Sequence, residues 1–236
     1  MAKSNSEQQD LFSRIYSKSK LKQEVYSNTF DAFQILKNVL ENIESNYKKS
    51  TQKLENKEEL NFEFKQNGKF ELEVKFGGDI LLFMMHTNVF EFPRKHSVMH
   101  TSYIKDNPNR SYCGVIYIYN FLADSFKYNR VNDLGYLIGR VFINNEKHYF
   151  VEGKKELGFI YNNFGENIIT EKSITEIAAA AIDYTLNFDL LCPPYETQQE
   201  ISVHLIKNTL DTISIKTGKR IGFKFQADND NIESQQ

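Results

Sequence analysis

Three of the chain's five histidines fall in one stretch, HTNVFEFPRKHSVMH, residues 86–100. His96 and His100 are four residues apart. That spacing puts both side chains on one face of a helix, and an even spacing does the same on a strand. With His86 brought back by its loop they could supply three nitrogen ligands to a zinc ion, and Cys113 a fourth. The chemistry would be metal binding or metal-assisted hydrolysis. Against it, no HExxH is present, and no carboxylate lies between His96 and His100 to act as a base. The alternative is a strand that runs through His86 into an exposed loop, and this is the reading we adopt.

The same loop is cationic. From Arg94 to Arg110 it carries Arg94, Lys95, Lys105 and Arg110 against Asp106 alone. Tyr103 and Tyr112 lie among them. Guanidinium groups grip carboxylates and phosphates in a fork, and rings stack on planar groups. Asp106-Asn107-Pro108-Asn109 is turn chemistry and places the patch on the surface. Arg140 lies within a hydrophobic strand pattern and requires an anionic partner or a solvent-facing side. Arg94, Lys95, Tyr103, Arg110 and Arg140 are therefore the candidate site for a small anion or nucleotide.

Other chemistries lack their signatures. There is no GxSxG, GxxxxGK[ST] or GxGxxG, and neither cysteine belongs to a local nucleophile motif. No catalytic residue and no cofactor is expected. Cys113 and Cys192 are far apart in apolar surroundings, which suits two buried thiols rather than a disulfide. A net charge of -2 gives no general attraction to nucleic acid or anionic lipid. The polar amino terminus lacks the apolar core of a signal peptide, and no apolar run reaches membrane-spanning length. A cytoplasmic location is the default expectation.

The elements that must position these residues follow from periodicity. Ser6 to Gln9 fits a capping box. Leu11, Phe12, Ile15 and Tyr16, then Phe30, Phe33, Leu36, Leu40, Ile43 and Tyr47, recur at helical spacing. One broken helix, or two, is expected over about 7–48. Some 40 residues would span about 60 Å, which calls for a break near Ser27-Asn28-Thr29 or a projecting helix that packs on a partner. Phe62 and Phe64, then Phe70, Leu72, Val74 and Phe76, alternate with polar residues around Asn67-Gly68, a hairpin. Residues 79–85 and 115–119 are apolar on both faces, so layers must cover both sides of the sheet. Residues 134–143 and 147–151 flank Asn144-Asn145 as a further hairpin, and 157–161 reads as a strand. Gly135 and Gly139 mark a bulge or a close approach. A helix follows a capping box at Ser173. Residues 198–211 read as helix or strand, and 213–225 as a closing hairpin.

The expected fold is α+β, a mostly antiparallel sheet of about seven or more strands covered by an N-terminal helical segment and C-terminal helices. The expected division is a helical arm at 1–57, a sheet domain at 58–226 and a disordered tail at 227–236. The leading expectation for function is a non-enzymatic interaction or assembly protein that uses the N-terminal helix to bind a protein partner or itself. The alternatives are a sensor-type module holding an anion at 94–110 and a histidine-based hydrolase.

Overall fold

The computed structural model describes residues 2–52, 61–154, 163–188, 192, 195, 199–200 and 202–203. A seven-stranded antiparallel sheet lies against two helices. Helix α1 (Ala2–Ser50) precedes strands β1 (Phe62–Gln66), β2 (Glu71–Phe76), β3 (Asp79–Met85) and β4 (Phe90–Glu91). Short helical turns at Ser97–His100, α2 (Ser102–Asp106) and Pro108–Ser111 lead into the long β5 (Tyr112–Leu122). After α3 (Ala123–Lys127) come β6 (Tyr136–Asn144), β7 (Tyr149–Gly153) and helix α4 (Glu171–Leu186). The sheet order is β1-β2-β3-β5-β6-β7, with β4 paired to β5 beyond the end of β3. The α+β class and the antiparallel sheet are as the periodicity requires.

Alternation assigns the two faces. Leu72, Val74, Leu81, Phe83, Ile116, Ile118, Val141 and Ile143 point to one side. There they meet Phe33, Leu36 and Leu40 of α1 and Ile174, Ile177, Ala178 and Ala181 of α4. Each of the valine, leucine, isoleucine and phenylalanine side chains contributes roughly 1.5–3 kcal/mol by leaving water. The helical half and the sheet thus share one core. The boundary expected at residue 57 falls outside the described residues, as do the strand at 157–161, nearly all of 198–211, the hairpin at 213–225 and the tail at 227–236.

Helix α1 has no break, and its 49 residues extend about 74 Å. The polar triplet expected to interrupt it anchors it instead. Asn28 donates its side-chain N–H groups to the carbonyls of Asn144 (3.1 Å) and Asn145 (2.8 Å). Thr29 is fully buried against Gly114 and donates its hydroxyl to the Val25 carbonyl at 2.7 Å. The helix parts from the sheet near Lys18, whose ammonium sits 3.3 Å from the centroid of the Tyr112 ring. Before that point Leu11, Phe12, Ile15 and Tyr16 are 45–69% exposed. At 3.6 residues per turn Leu11 and Ile15 fall five full turns before the buried Thr29 and Phe33 and continue that part of the sheet-facing side, while Phe12 and Tyr16 widen the stripe away from the row of Leu21, Val25, Ala32 and Leu36. Polar Lys18, Arg14 and Glu7 occupy the positions where that row would continue.

Both tested capping boxes are shifted. Helix α1 already runs through Ser6. Helix α4 begins one turn earlier than expected: Thr170 is the cap, and Ser173, three residues on, completes the reciprocal pair of bonds. Among the described residues no helix is long and apolar enough to cross a membrane.

Candidate functional site

Among the described residues, the second face of the sheet is covered only at its two ends. At one end the segment after β4, joined by Phe164 from beyond β7, folds over it, so that Phe92, Val98, Ile104 and Phe164 bury Cys113, Val115, Phe142 and Phe150. At the other end Ala123 of α3 meets Ile80 and Leu82. Between these covers the strand register places Met84, Tyr117, Arg140 and Glu152 side by side on β3, β5, β6 and β7. Beside this row opens a cleft of about 350 Å³, walled by Phe90, Phe92, Pro93, His96, Tyr117 and Phe142, with Arg140 in its lining.

The three histidines of the opening stretch serve separate local roles. His86 Nδ1 accepts from the Asn88 backbone N–H at 3.0 Å, and its ring meets Phe90 edge-on. His96 Nδ1 accepts from the Val98 N–H at 3.3 Å and so caps the turn at Ser97–His100. Its ring stacks on Phe92, and its Nε2 lies 3.7 Å from Glu152 Oε1. His100 is exposed at the end of that turn. The zinc set of His86, His96 and His100 is therefore not assembled. Two of the three spend the Nδ1 lone pair on backbone N–H groups, and among the described residues no three His, Cys, Asp or Glu side chains gather as a metal site.

The five anion-site candidates divide into two groups. Tyr103 and Arg110 belong to a half-buried node beside the β6–β7 turn. Arg110 Nε donates to both oxygens of Glu146, at 2.9 and 3.0 Å, and its Nη1 donates to the Tyr103 carbonyl. The guanidinium also lies over the Tyr103 ring, 4.4 Å from its centroid. The Tyr103 hydroxyl donates to Glu146 and accepts from Asn144. Burial pushes the Tyr103 phenol up to about 12; donation from Asn144 opposes this, and the bond to Glu146 adds to it. Burial would also raise Glu146. The hydrogen bonds from Arg110 and Tyr103 and the charge of Arg110 outweigh that and hold it below the usual carboxylate range. With its charge matched by Glu146 and its guanidinium packed over the Tyr103 ring, Arg110 is a structural residue.

Arg140 sits about four residues along β6 from that node, some 13 Å away. It donates Nε at 2.7 Å, and Nη2, to a single oxygen of Glu152. Arg94 and Lys95 are exposed on the turn between Pro93 and His96, without a carboxylate partner among the described residues. So Arg94, Lys95 and Arg140 remain around the cleft, and Tyr103 and Arg110 do not.

Cys113 is 1% exposed at the base of this region, and burial raises its thiol well above the ordinary value. The thiolate is the reactive form. Cys192, in contrast, is exposed. Iodoacetamide is expected to modify one cysteine in the native protein and two in urea, as counted by intact mass. Double labelling at comparable rates under native conditions would show that the cover over Cys113 opens freely.

The chain matches no family model, no curated protein and no solved structure.

Proposed function

We propose that the protein is a non-enzymatic assembly module that joins a second copy of itself through the projecting part of α1. The exposed cluster of Leu11, Phe12, Ile15 and Tyr16 carries this reading. These are four large apolar side chains on a segment that its own sheet does not cover. Contiguous apolar patches of this kind mark interaction sites. The cluster runs on from the buried side of α1 and widens beyond it through Phe12 and Tyr16, on a stretch where the sheet leaves it exposed. A second copy offers the same stripe. Two arms crossing antiparallel about residues 13 and 14 would set Leu11 against Tyr16 and Phe12 against Ile15, in the self-matching contact of a twofold dimer. Binding rather than catalysis is supported by the polar groups: at the cleft Arg140 is paired with Glu152 and the Cys113 thiol is held neutral, and away from it Arg110 is paired with Glu146.

So short a helix contact falls at the small end of specific interfaces, and the dimer should be weak. Sedimentation velocity on the full chain is expected to show mass moving from one copy towards two as concentration rises through the micromolar range. Phe12→Glu with Ile15→Glu should hold the protein at one copy with an unchanged circular dichroism spectrum, since both sites are on the exposed arm. A wild-type protein that stays monomeric at several hundred micromolar would defeat the proposal.

A further inference from the structure

We infer that the cleft on the second sheet face is a binding site for a small aromatic carboxylate. The inference is independent of the arm. The cleft's volume of about 350 Å³ lies at the lower end of ligand pockets and suits one or two rings with a carboxyl group. Its walls are largely aromatic. Phe92 packs on Phe142 at 4.9 Å between centroids, and Tyr117 is held by stacking on Tyr119 at 5.9 Å. Phe90 leaves 38% of its surface exposed at the rim, where a bound ring would cover it. Aromatic contacts of this type add about 0.5–1.5 kcal/mol beyond burial.

Charge selects the polar end of the ligand. Glu152 occupies Nε and Nη2 of Arg140 through one oxygen, and Nη1 has no hydrogen-bond partner among the described residues. That leaves Nη1 open to a ligand on a side chain that lines the cleft. Arg94 and Lys95 stand on the wall between two lining residues. The carboxylates nearby are Glu152, already paired, and Glu91, which accepts a 2.8 Å bond from the Tyr112 hydroxyl. Among arginine, lysine and the acidic side chains around the cleft, three cations thus stand against two carboxylates. An aromatic amine would meet the wrong sign. A bare phosphate would satisfy the cations and leave the ring faces in water.

The test uses 1-naphthoate, inorganic phosphate and 1-naphthylmethylamine against the full chain. The protein has no tryptophan, so naphthalene fluorescence anisotropy reports binding without overlap. Naphthoate is expected to bind saturably at one per chain, at least tenfold tighter than either phosphate or the amine. Tyr117→Leu should weaken it about tenfold. The exposed pair Arg94→Glu with Lys95→Glu should do the same without loss of fold, and Arg140→Gln should abolish it. The arm variant Phe12→Glu should leave it unchanged. Absence of saturable naphthoate binding, equal or tighter binding of the amine or of phosphate, indifference to the Arg94 and Lys95 reversals, or loss in Phe12→Glu would each overturn the assignment.

Discussion

Replacing Gly114 with alanine is expected to cost up to about 3 kcal/mol, the upper part of the range for forcing extra volume into a packed interior. Gly114 lies on the face of β5 beneath α1. A β-carbon there would stand 2.1 Å from Thr29 Oγ1 and 2.8 Å from Thr29 Cβ. Thr29 cannot swing aside, because it is fully buried with its hydroxyl committed to the Val25 carbonyl. Nor can the helix slide, because Asn28 ties it to the β6–β7 turn. The helix has to lift from the sheet, which loosens the packing of Phe33 and Leu36 behind it. The sign is diagnostic: glycine within a strand ordinarily costs about 0.5–1 kcal/mol relative to alanine, so an unhindered substitution would stabilise. Urea denaturation should place Gly114→Ala well below wild type. In a Thr29→Gly background the penalty should fall by more than half, a coupling expected only of residues in contact. A neutral or stabilising Gly114→Ala would mean that helix and strand do not approach this closely.

That contact also shows what the sequence conceals. Strict alternation over 62–76, two-sided apolar runs at 79–85 and 115–119, and helical spacing at 30–47 are local signals, and the matching elements form. Gly135 and Gly139 also behave as their type suggests. A β-carbon on Gly135 would strike the Phe121 ring, and the β5–β6 register shifts beside Gly139. Ser27-Asn28-Thr29, by contrast, resembles a helix break only while its partners are unseen. Asn144, Asn145 and Gly114 lie about 85 residues or more further along the chain and turn the same polar triplet into an anchor.

The candidate site was legible in its residue types and not in its grouping. Reading Asn144-Asn145 as a two-residue turn sets Arg140 opposite Phe150 or an earlier residue. The observed loop is longer, with Lys147 at a positive φ of 63°, and the register pairs Arg140 with Glu152. One misjudged turn therefore hides the arginine's partner. Strand β4 escapes notice because two residues show no period. Yet β4 and the turn after it raise the cleft wall and separate Arg94 and Lys95 from Arg110. The histidine spacing was real, but a spacing says nothing about which lone pairs the neighbouring backbone will take.

Asn144→Ala is the second substitution expected to act strongly, at about 3 kcal/mol. Asn144 is fully buried, and its side chain fills both of its roles. Oδ1 accepts from the backbone N–H groups of Glu146 and His148, each at 3.0 Å, which shapes the β6–β7 turn. Nδ2 donates to the Tyr103 hydroxyl at 2.9 Å and, at 3.4 Å, to the Arg110 carbonyl. Its own carbonyl accepts from Asn28 of α1. Alanine would strand two inward N–H groups, each costing roughly 1–3 kcal/mol when left unpaired. Asn144→Asp separates the two roles. Aspartate keeps the acceptor, loses the donor, and sets a buried charge beside Glu146, which stays ionised because its pKa lies below the usual range. Burial and like charge both raise a carboxyl pKa. A group raised in the folded state stabilises it below its unfolded pKa and loses that contribution as pH rises through the folded value. The aspartate variant should therefore be at least as unstable as the alanine variant at about pH 8 and recover towards wild type by about pH 5, while the alanine variant follows wild type across the same range. Parallel urea midpoints for the two variants at both pH values would show that residue 144 is not enclosed beside Glu146.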